Sequence, residues 1–150
     1  MKTSTCMRAI MPEPLPAAAT EAAMGELLRR FIAAWSAADS AALMELLADD
    51  LRYLVYDGGP VHEGREEVGR VVARFMARFD RIEFRVLRSV CMAPVIVHER
   101  TEHYYAPGGE LDTRFQVVGV LRIRDGRIAD WRDYAVPGVE QLVGPRCRGD

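Results

Sequence analysis

The fold can be predicted from residues 82–135, which read IEFRVLRSVCMAPVIVHERTEHYYAPGGELDTRFQVVGVLRIRDGRIADWRDYA. Apolar and polar residues alternate along much of this stretch, which is typical of strands with two unlike faces. The Pro-Gly-Gly-Glu run at 107–110 is a turn signal, and the Asp-Gly pair at 125–126 predicts a two-residue hairpin turn. Consecutive strands joined by tight turns form an antiparallel sheet. The predicted strands span residues 82–92, 95–105, 112–124 and 127–135.

Helical periodicity precedes these strands. Thr20 is placed to cap a helix whose apolar residues recur every three or four positions as far as Trp35. Asp39 or Ser40 is placed to begin a second, short helix. A strand over 51–56 and a third helix from about 65 to 79 follow. Helices placed before an antiparallel sheet must cover one of its faces, so the order predicts an α+β fold.

The predicted domain spans residues 20–150. Residues 1–19 hold three alternating prolines and are predicted to form a flexible N-terminal tail. Pro137 is predicted to begin a short C-terminal helical segment or loop. A length of 150 residues fits one domain with a real core.

The composition excludes several classes of protein. The formal net charge of −2, with 28% charged residues, argues against a nucleic-acid-binding protein, and no apolar run is long enough to cross a membrane. Cys6, Cys91 and Cys147 form no disulfide framework or zinc spacing, and the first ten residues lack the apolar core of a secretory signal, so we expect a cytoplasmic protein. Lys2 is the sole lysine, which leaves no credible lysine nucleophile outside the predicted tail.

The strand over 95–105 carries the first group of ionisable residues. Alternation places His98, Arg100 and Glu102 on one face together with Tyr104, and His103 on the other. The simplest interpretation is a solvated charged face. Because both faces of the strand begin apolar, Arg100 and Glu102 are also candidates for a buried ion pair. The two histidines lie on opposite faces, so this strand predicts no metal site.

The last predicted strand carries a second candidate. Asp133 shares a face with Trp131 and two alanines, Ala129 and Ala135. The aspartate either ends the strand and binds a backbone N–H, or lies in an apolar hollow with a pKa set by its neighbours.

These residues carry a resemblance to a known family. Trp131-Arg132-Asp133-Tyr134, the Glu99-Arg100-Thr101-Glu102 segment and Tyr53 together resemble the limonene-1,2-epoxide hydrolase family over about residues 21–143. That family belongs to the wider nuclear transport factor 2-like group, which includes ketosteroid isomerases and small SnoaL-like polyketide cyclases. The resemblance implies a cone of three N-terminal helices on a strongly curved antiparallel or mixed sheet that encloses a pocket.

The resemblance also implies a one-step hydrolysis. In this family pattern Asp133 takes a proton from water, Glu102 protonates the epoxide oxygen, Arg100 holds the two carboxyls in opposite protonation states, and Tyr53 positions the water. An epoxide has a poor leaving group, so acid assistance and an activated nucleophile must act together. The implied substrate is a small apolar epoxide, terpenoid, steroid or polyketide-like, and no metal or cofactor is implied.

Two positions depart from the family pattern. The family acid is usually an aspartate, whereas this chain has the longer Glu102. The family has an asparagine two residues after the tyrosine, whereas this chain has Val55, so His98 or Tyr56 would have to hold the water. The expected pocket lining is Val55, His98, Trp35 and Phe75.

Two other functions remain open on the same scaffold. One is an isomerase or cyclase that needs a single carboxylate base, and the other is a non-catalytic small-molecule-binding protein. The resemblance also implies a homodimer, with the outer face of the sheet as the natural interface.

Overall fold

The computed structural model describes residues 20–55 and 58–135. Helix α1 (Glu21–Ser36) begins as predicted, because the Thr20 hydroxyl accepts a hydrogen bond from the backbone N–H of Ala23 at 3.2 Å. Its apolar stripe, from Met24 to Trp35, is buried. The predicted tail and C-terminal segment lie outside the described residues.

Helix α2 (Ser40–Glu45) is capped by Asp39, whose carboxylate accepts from the N–H of Ala42 at 2.9 Å. Strand β1 (Leu47–Leu54) follows and begins earlier than the predicted 51–56. Asp49 and Asp50 are consecutive exposed residues at an irregularity of β1, which breaks the alternation on which the prediction depended.

Strand β2 (Val61–Glu63) was not predicted, because three residues are too few to show a period. Helix α3 (Arg65–Met76) ends before the predicted residue 79. The last predicted turn is replaced by tighter turns, in which the N–H of Phe79 binds the carbonyl of Met76 at 3.1 Å.

The four long strands lie close to where the sequence predicts them. They are β3 (Arg81–Met92), β4 (Val95–Tyr105), β5 (Leu111–Arg124) and β6 (Arg127–Ala135). The strand order is β2-β1-β6-β5-β4-β3, and β1 runs parallel to β6 while the other neighbours are antiparallel. The result is the expected α+β fold, with helices packed on a curved, mixed sheet that stays open at its β2 and β3 edges.

The core lies between the helices and the inner face of the sheet. Trp131 and Phe31 are fully buried at its centre, with their rings in T-shaped contact at 5.0 Å. No helix within residues 20–55 and 58–135 is long and apolar enough to cross a membrane.

Candidate active site

A single guanidinium joins the two predicted catalytic carboxyls. Arg100 Nη2 lies 2.6 Å from Glu102 Oε1 and 2.9 Å from Asp133 Oδ2, and Arg100 Nε donates to the same Glu102 oxygen at 2.7 Å. Each of the three residues is at most 7% exposed. Burial alone would lower the pKa of Arg100, but the two carboxylates raise it, so the guanidinium stays charged. The structure therefore brings Arg100, Glu102 and Asp133 together inside the protein.

A glycine in β5 makes this convergence possible. Gly119 pairs with His98 on one side and Asp133 on the other, so it lies directly between them on the inner face. A Cβ added at Gly119 would come within 2.3 Å of His98 Nε2 and 2.6 Å of Arg100 Nη1. A glycine inside a strand often marks a close approach of neighbouring groups. Arg100 crosses β5 through the space that the missing side chain leaves.

Asp133 is the less completely satisfied of the two carboxyls. Its Oδ2 meets Arg100, but its buried Oδ1 accepts no hydrogen bond of normal geometry from the described residues. Burial and the nearby charge of Glu102 raise the pKa of Asp133, Arg100 and the indole of Trp131 lower it, and the net effect is a pKa of about 6. The result is a carboxyl that titrates near neutrality and has one oxygen without a hydrogen-bond partner.

Glu102 is held through both of its oxygens. Oε1 accepts from Arg100, and Oε2 accepts from the hydroxyl of Tyr104 at 2.7 Å. Tyr104 is buried, and burial and the charge of Glu102 raise the pKa of its hydroxyl. No role was predicted for Tyr104, although strand alternation places it on the same face as Arg100 and could have identified it as a candidate.

Tyr53 approaches the two carboxyls from β1. Its ring stacks on Trp131 with the centroids 3.8 Å apart, and it is 6% exposed. Its hydroxyl makes no hydrogen bond to the residues described. Burial, with the charges of Asp133 and Glu102, raises the pKa of Tyr53 well above its usual value, so it remains a neutral donor.

The structure corrects the expectation that His98 lines the pocket. His98 lies beneath Arg100, with Nε2 3.4 Å from Arg100 Nη1, and it is 1% exposed. Alternation placed His98 on the correct face of the sheet. It could not show that His98, two residues before Arg100 in β4, is buried beneath the Arg100 side chain. Burial and the positive charge of Arg100 lower the pKa of His98 to about 3, so the ring is neutral. Tyr56, the other residue considered for holding the water, lies outside the described residues.

The polar lining of a cavity of about 220 Å³ is formed by Tyr53, Arg100, Glu102, Tyr104 and Asp133. The rest of the lining is apolar and includes three of the predicted residues, Trp35, Val55 and Phe75. At Val55, where the resemblance predicts an asparagine, an aliphatic side chain lines the cavity. The further apolar lining residues are Val71, Val72, Phe84, Phe115, Val117 and Ala135.

The acidic and imidazole groups do not form a metal-binding cluster in the part of the chain that the structure describes. The cavity instead combines an apolar body with a few convergent polar groups and a carboxyl of perturbed pKa. That combination is typical of a site for a small molecule.

The curved, open, six-stranded mixed sheet with helices packed against it is the nuclear transport factor 2-like fold. Within that class the chain belongs to the SnoaL-like domain family, which matches residues 28–131. No curated protein sequence matches the chain at a significant level.

Solved structures support the same fold. An LEH-like epoxide hydrolase from M. tuberculosis is 25% identical with a TM-score of 0.68, and the match covers 81% of this chain and 96% of that one. A hypothetical protein with a ketosteroid isomerase-like fold from Catenulispora acidiphila DSM 44928, solved with trimethylamine, is 23% identical with a TM-score of 0.65 and coverages of 73% and 84%. AusH from Aspergillus nidulans is 16% identical with a TM-score of 0.67 and coverages of 79% and 86%.

Proposed function

We propose that the protein is a hydrolase that adds water to a small apolar epoxide and releases a vicinal diol, by one-step general acid/base catalysis without a cofactor. The observation that carries the proposal is the pair of buried carboxyls bridged by Arg100 at 2.6 and 2.9 Å. The similarity to the LEH-like epoxide hydrolase adds support, as does the largely apolar cavity lining.

Asp133 is the proposed base. Its carboxyl lines the cavity, where it can meet a water, and its Oδ1 has no hydrogen-bond partner among the described residues. A base with a pKa near 6 is ionised at neutral pH yet still basic enough to assist proton removal. Tyr53 donates a hydrogen bond to the same water, and its stacking on Trp131 fixes the direction of that donor.

Glu102 is the proposed acid. Two carboxyls bridged by one buried guanidinium carry less net charge when they share a proton, so the pair favours one protonated and one ionised member. In the productive arrangement the proton lies on Glu102 Oε2, because Oε1 is already occupied by two donors of Arg100. Opening of the ring transfers that proton toward the epoxide oxygen while water attacks the carbon.

The proposed function is tested by incubating the protein with a panel of small apolar epoxides in ¹⁸O-labelled water. We expect diol carrying one ¹⁸O atom, and a loss of rate of about 10²–10⁴-fold in Asp133→Asn and Glu102→Gln variants. Asp130→Asn is the matched control, because Asp130 lies on the opposite face of the same strand and pairs with Arg132. Full activity of Asp133→Asn would refute the proposal.

One observation favours a second candidate function. Val55 contacts the cavity where a second hydrogen-bonding group for water is expected, and an isomerase or cyclase needs one carboxylate base and an apolar cavity, without a bound water. Rearrangement of a ketosteroid or cyclisation of a polyketide, with no ¹⁸O uptake and with dependence on Asp133, would favour that function. Binding without conversion across the whole panel would favour a non-catalytic binding protein.

We further propose that the protein is a homodimer through the outer face of the sheet. Val90 and Val97 pair across β3 and β4 on that face and are 65% and 39% exposed, and Met92 nearby is 68% exposed. A second copy would cover these side chains. Sedimentation at several concentrations tests this, with Val97→Arg expected to favour the monomer. A wild-type protein that is monomeric at every concentration would contradict it.

A cytoplasmic location is also proposed. The sulfur of Cys91 is free and lies on an edge strand, as in proteins of a reducing compartment. Fractionation of cells that produce the protein tests this, and recovery from an extracellular fraction would contradict it.

A further inference from the structure

We infer that Tyr104 is a catalytic residue, which donates its own proton to the substrate oxygen and takes a proton from Glu102. This inference rests on the proposed function. It concerns the one hydroxyl that both contacts a carboxyl of the site and lines the cavity in the described residues.

The contacts of Glu102 determine where its proton can lie. Arg100 directs Nε and Nη2 at Oε1, so a proton on that oxygen would face two donors. The free position is Oε2, which lies 2.7 Å from the Tyr104 hydroxyl. When Glu102 is protonated, its O–H donates to Tyr104, and the hydroxyl hydrogen of Tyr104 is released to point elsewhere.

The residues around Tyr104 direct its hydroxyl hydrogen into the cavity. The ring is enclosed by aromatic side chains that offer no strong acceptor, with centroids 4.9 to 6.1 Å away: Phe75, Phe79, Phe84 and Phe115. Because these contacts fix the ring, the hydroxyl is preorganised. An epoxide oxygen in the cavity would be its acceptor.

The proton balance of the step is complete. Water attacks an epoxide carbon and loses a proton to Asp133 as the C–O bond breaks. The oxygen released from the ring takes the proton of Tyr104, and Tyr104 takes the proton of Glu102. The step ends with the diol, protonated Asp133 and ionised Glu102, and return of one proton from Asp133 to Glu102 restores the starting state.

The same geometry explains why a glutamate fits position 102 better than an aspartate would. An aspartate at position 102 would be shorter by about 1.5 Å in extended geometry. The additional methylene of Glu102 allows one carboxyl to meet Arg100 with one oxygen and Tyr104 with the other.

The test compares Tyr104→Phe with Tyr105→Phe. Tyr105 is the adjacent residue on the opposite face, and its hydroxyl bonds Glu83 at 3.2 Å, away from the cavity. We expect Tyr104→Phe to lower kcat for epoxide opening by about 10- to 100-fold with little change in KM, and Tyr105→Phe to leave both unchanged. Rates in mixtures of H₂O and D₂O should depend on deuterium content along a curve for the wild type, because three protons move in the step, and along a straighter line for Tyr104→Phe, because the transfer through Tyr104 is lost.

An infrared measurement keeps the inference testable when no epoxide is turned over. Cyclohexanone labelled at its carbonyl carbon is the probe, and its C=O band should lie at lower frequency in the wild type than in Tyr104→Phe, because Tyr104 donates to it. A wild type that hydrolyses epoxides while Tyr104→Phe keeps the full rate overturns the inference and leaves the proposed function standing. An inactive wild type overturns the proposed function and the catalytic role of Tyr104 with it, and an unchanged band would show in addition that Tyr104 does not donate a hydrogen bond into the cavity.

Discussion

Replacing Asp133 by asparagine should make the folded protein more stable near neutral pH while removing its activity. The asparagine side chain resembles the protonated carboxyl in shape and can still accept a hydrogen bond from Arg100, which lies 2.9 Å from the carboxyl it replaces. The ionised carboxyl, by contrast, is buried and has one oxygen without a hydrogen bond. Active sites commonly store destabilising features of this kind.

The magnitude follows from the pKa of Asp133. Folding raises that pKa from 3.8 to about 6, so the folded state binds the proton more tightly than the unfolded chain. The stability contributed by the protonated form is complete below about pH 4 and is lost as the pH rises through about 6. At 1.36 kcal/mol for each pKa unit, the ionised carboxyl destabilises the fold by about 3 kcal/mol above pH 7. The asparagine variant should recover much of that free energy.

The assay is urea unfolding of wild type and Asp133→Asn at about pH 4 and about pH 7.5. We expect a gain of about 2–3 kcal/mol at the higher pH and nearly none at the lower. Asp130→Asn is the control and should show no gain at either pH, because it loses its ion pair with Arg132. A variant less stable than the wild type at the higher pH, or a gain that is equal at both, would refute the reasoning.

Three further outcomes are expected. The kcat/KM for epoxide opening should fall on the acid side of neutrality, because Asp133, whose pKa is raised by burial, must be ionised to accept a proton; a profile that stays flat from pH 7 to pH 4 would contradict this role. Gly119→Ala should lose about 1–3 kcal/mol of stability and most activity, because its Cβ would displace Arg100. The control is Gly25→Ala on the exposed face of α1, where a Cβ would meet no atom within 4 Å, and this variant should gain about 0.5–1 kcal/mol. Equal stability of the two variants in urea unfolding would contradict this explanation. Val55→Asn should raise kcat about 2- to 10-fold by adding a hydrogen bond worth about 0.5–1.5 kcal/mol to the attacking water. Val71→Asn, at another apolar position of the cavity, is the control. An unchanged kcat in Val55→Asn would show that position 55 does not contact the water.

Much of the sheet was predictable because its signals are local. The Asp-Gly turn fixed the start of β6, and alternation then placed Trp131 and Asp133 on the inner face. Strand β1 was predicted too short, because its paired exposed residues, Asp49 and Asp50, interrupt the period of two. A local pattern cannot reveal such an irregularity, since it depends on how β1 pairs with β6.

The sequence predicted the face of the strand on which each site residue lies, but not how deeply each residue is buried or what it contacts. Alternation placed His98, Arg100 and Glu102 on one face. It could not show that His98 lies beneath Arg100 and not in the cavity. It also could not show that Glu102 reaches Arg100 at 2.6 Å. Gly119 was not predicted to belong to the site, although a lone glycine inside a predicted strand indicates a close approach from neighbouring strands.

The central claim is that Asp133 activates a water that attacks the epoxide directly, and a single turnover tests it. Protein in excess over an epoxide substrate, in ¹⁸O-labelled water, should release diol carrying one ¹⁸O atom in the first turnover, with no label in the carboxyl of Asp133. Unlabelled diol in the first turnover, with ¹⁸O appearing in Asp133, would show that the carboxylate itself attacks, and would contradict the account.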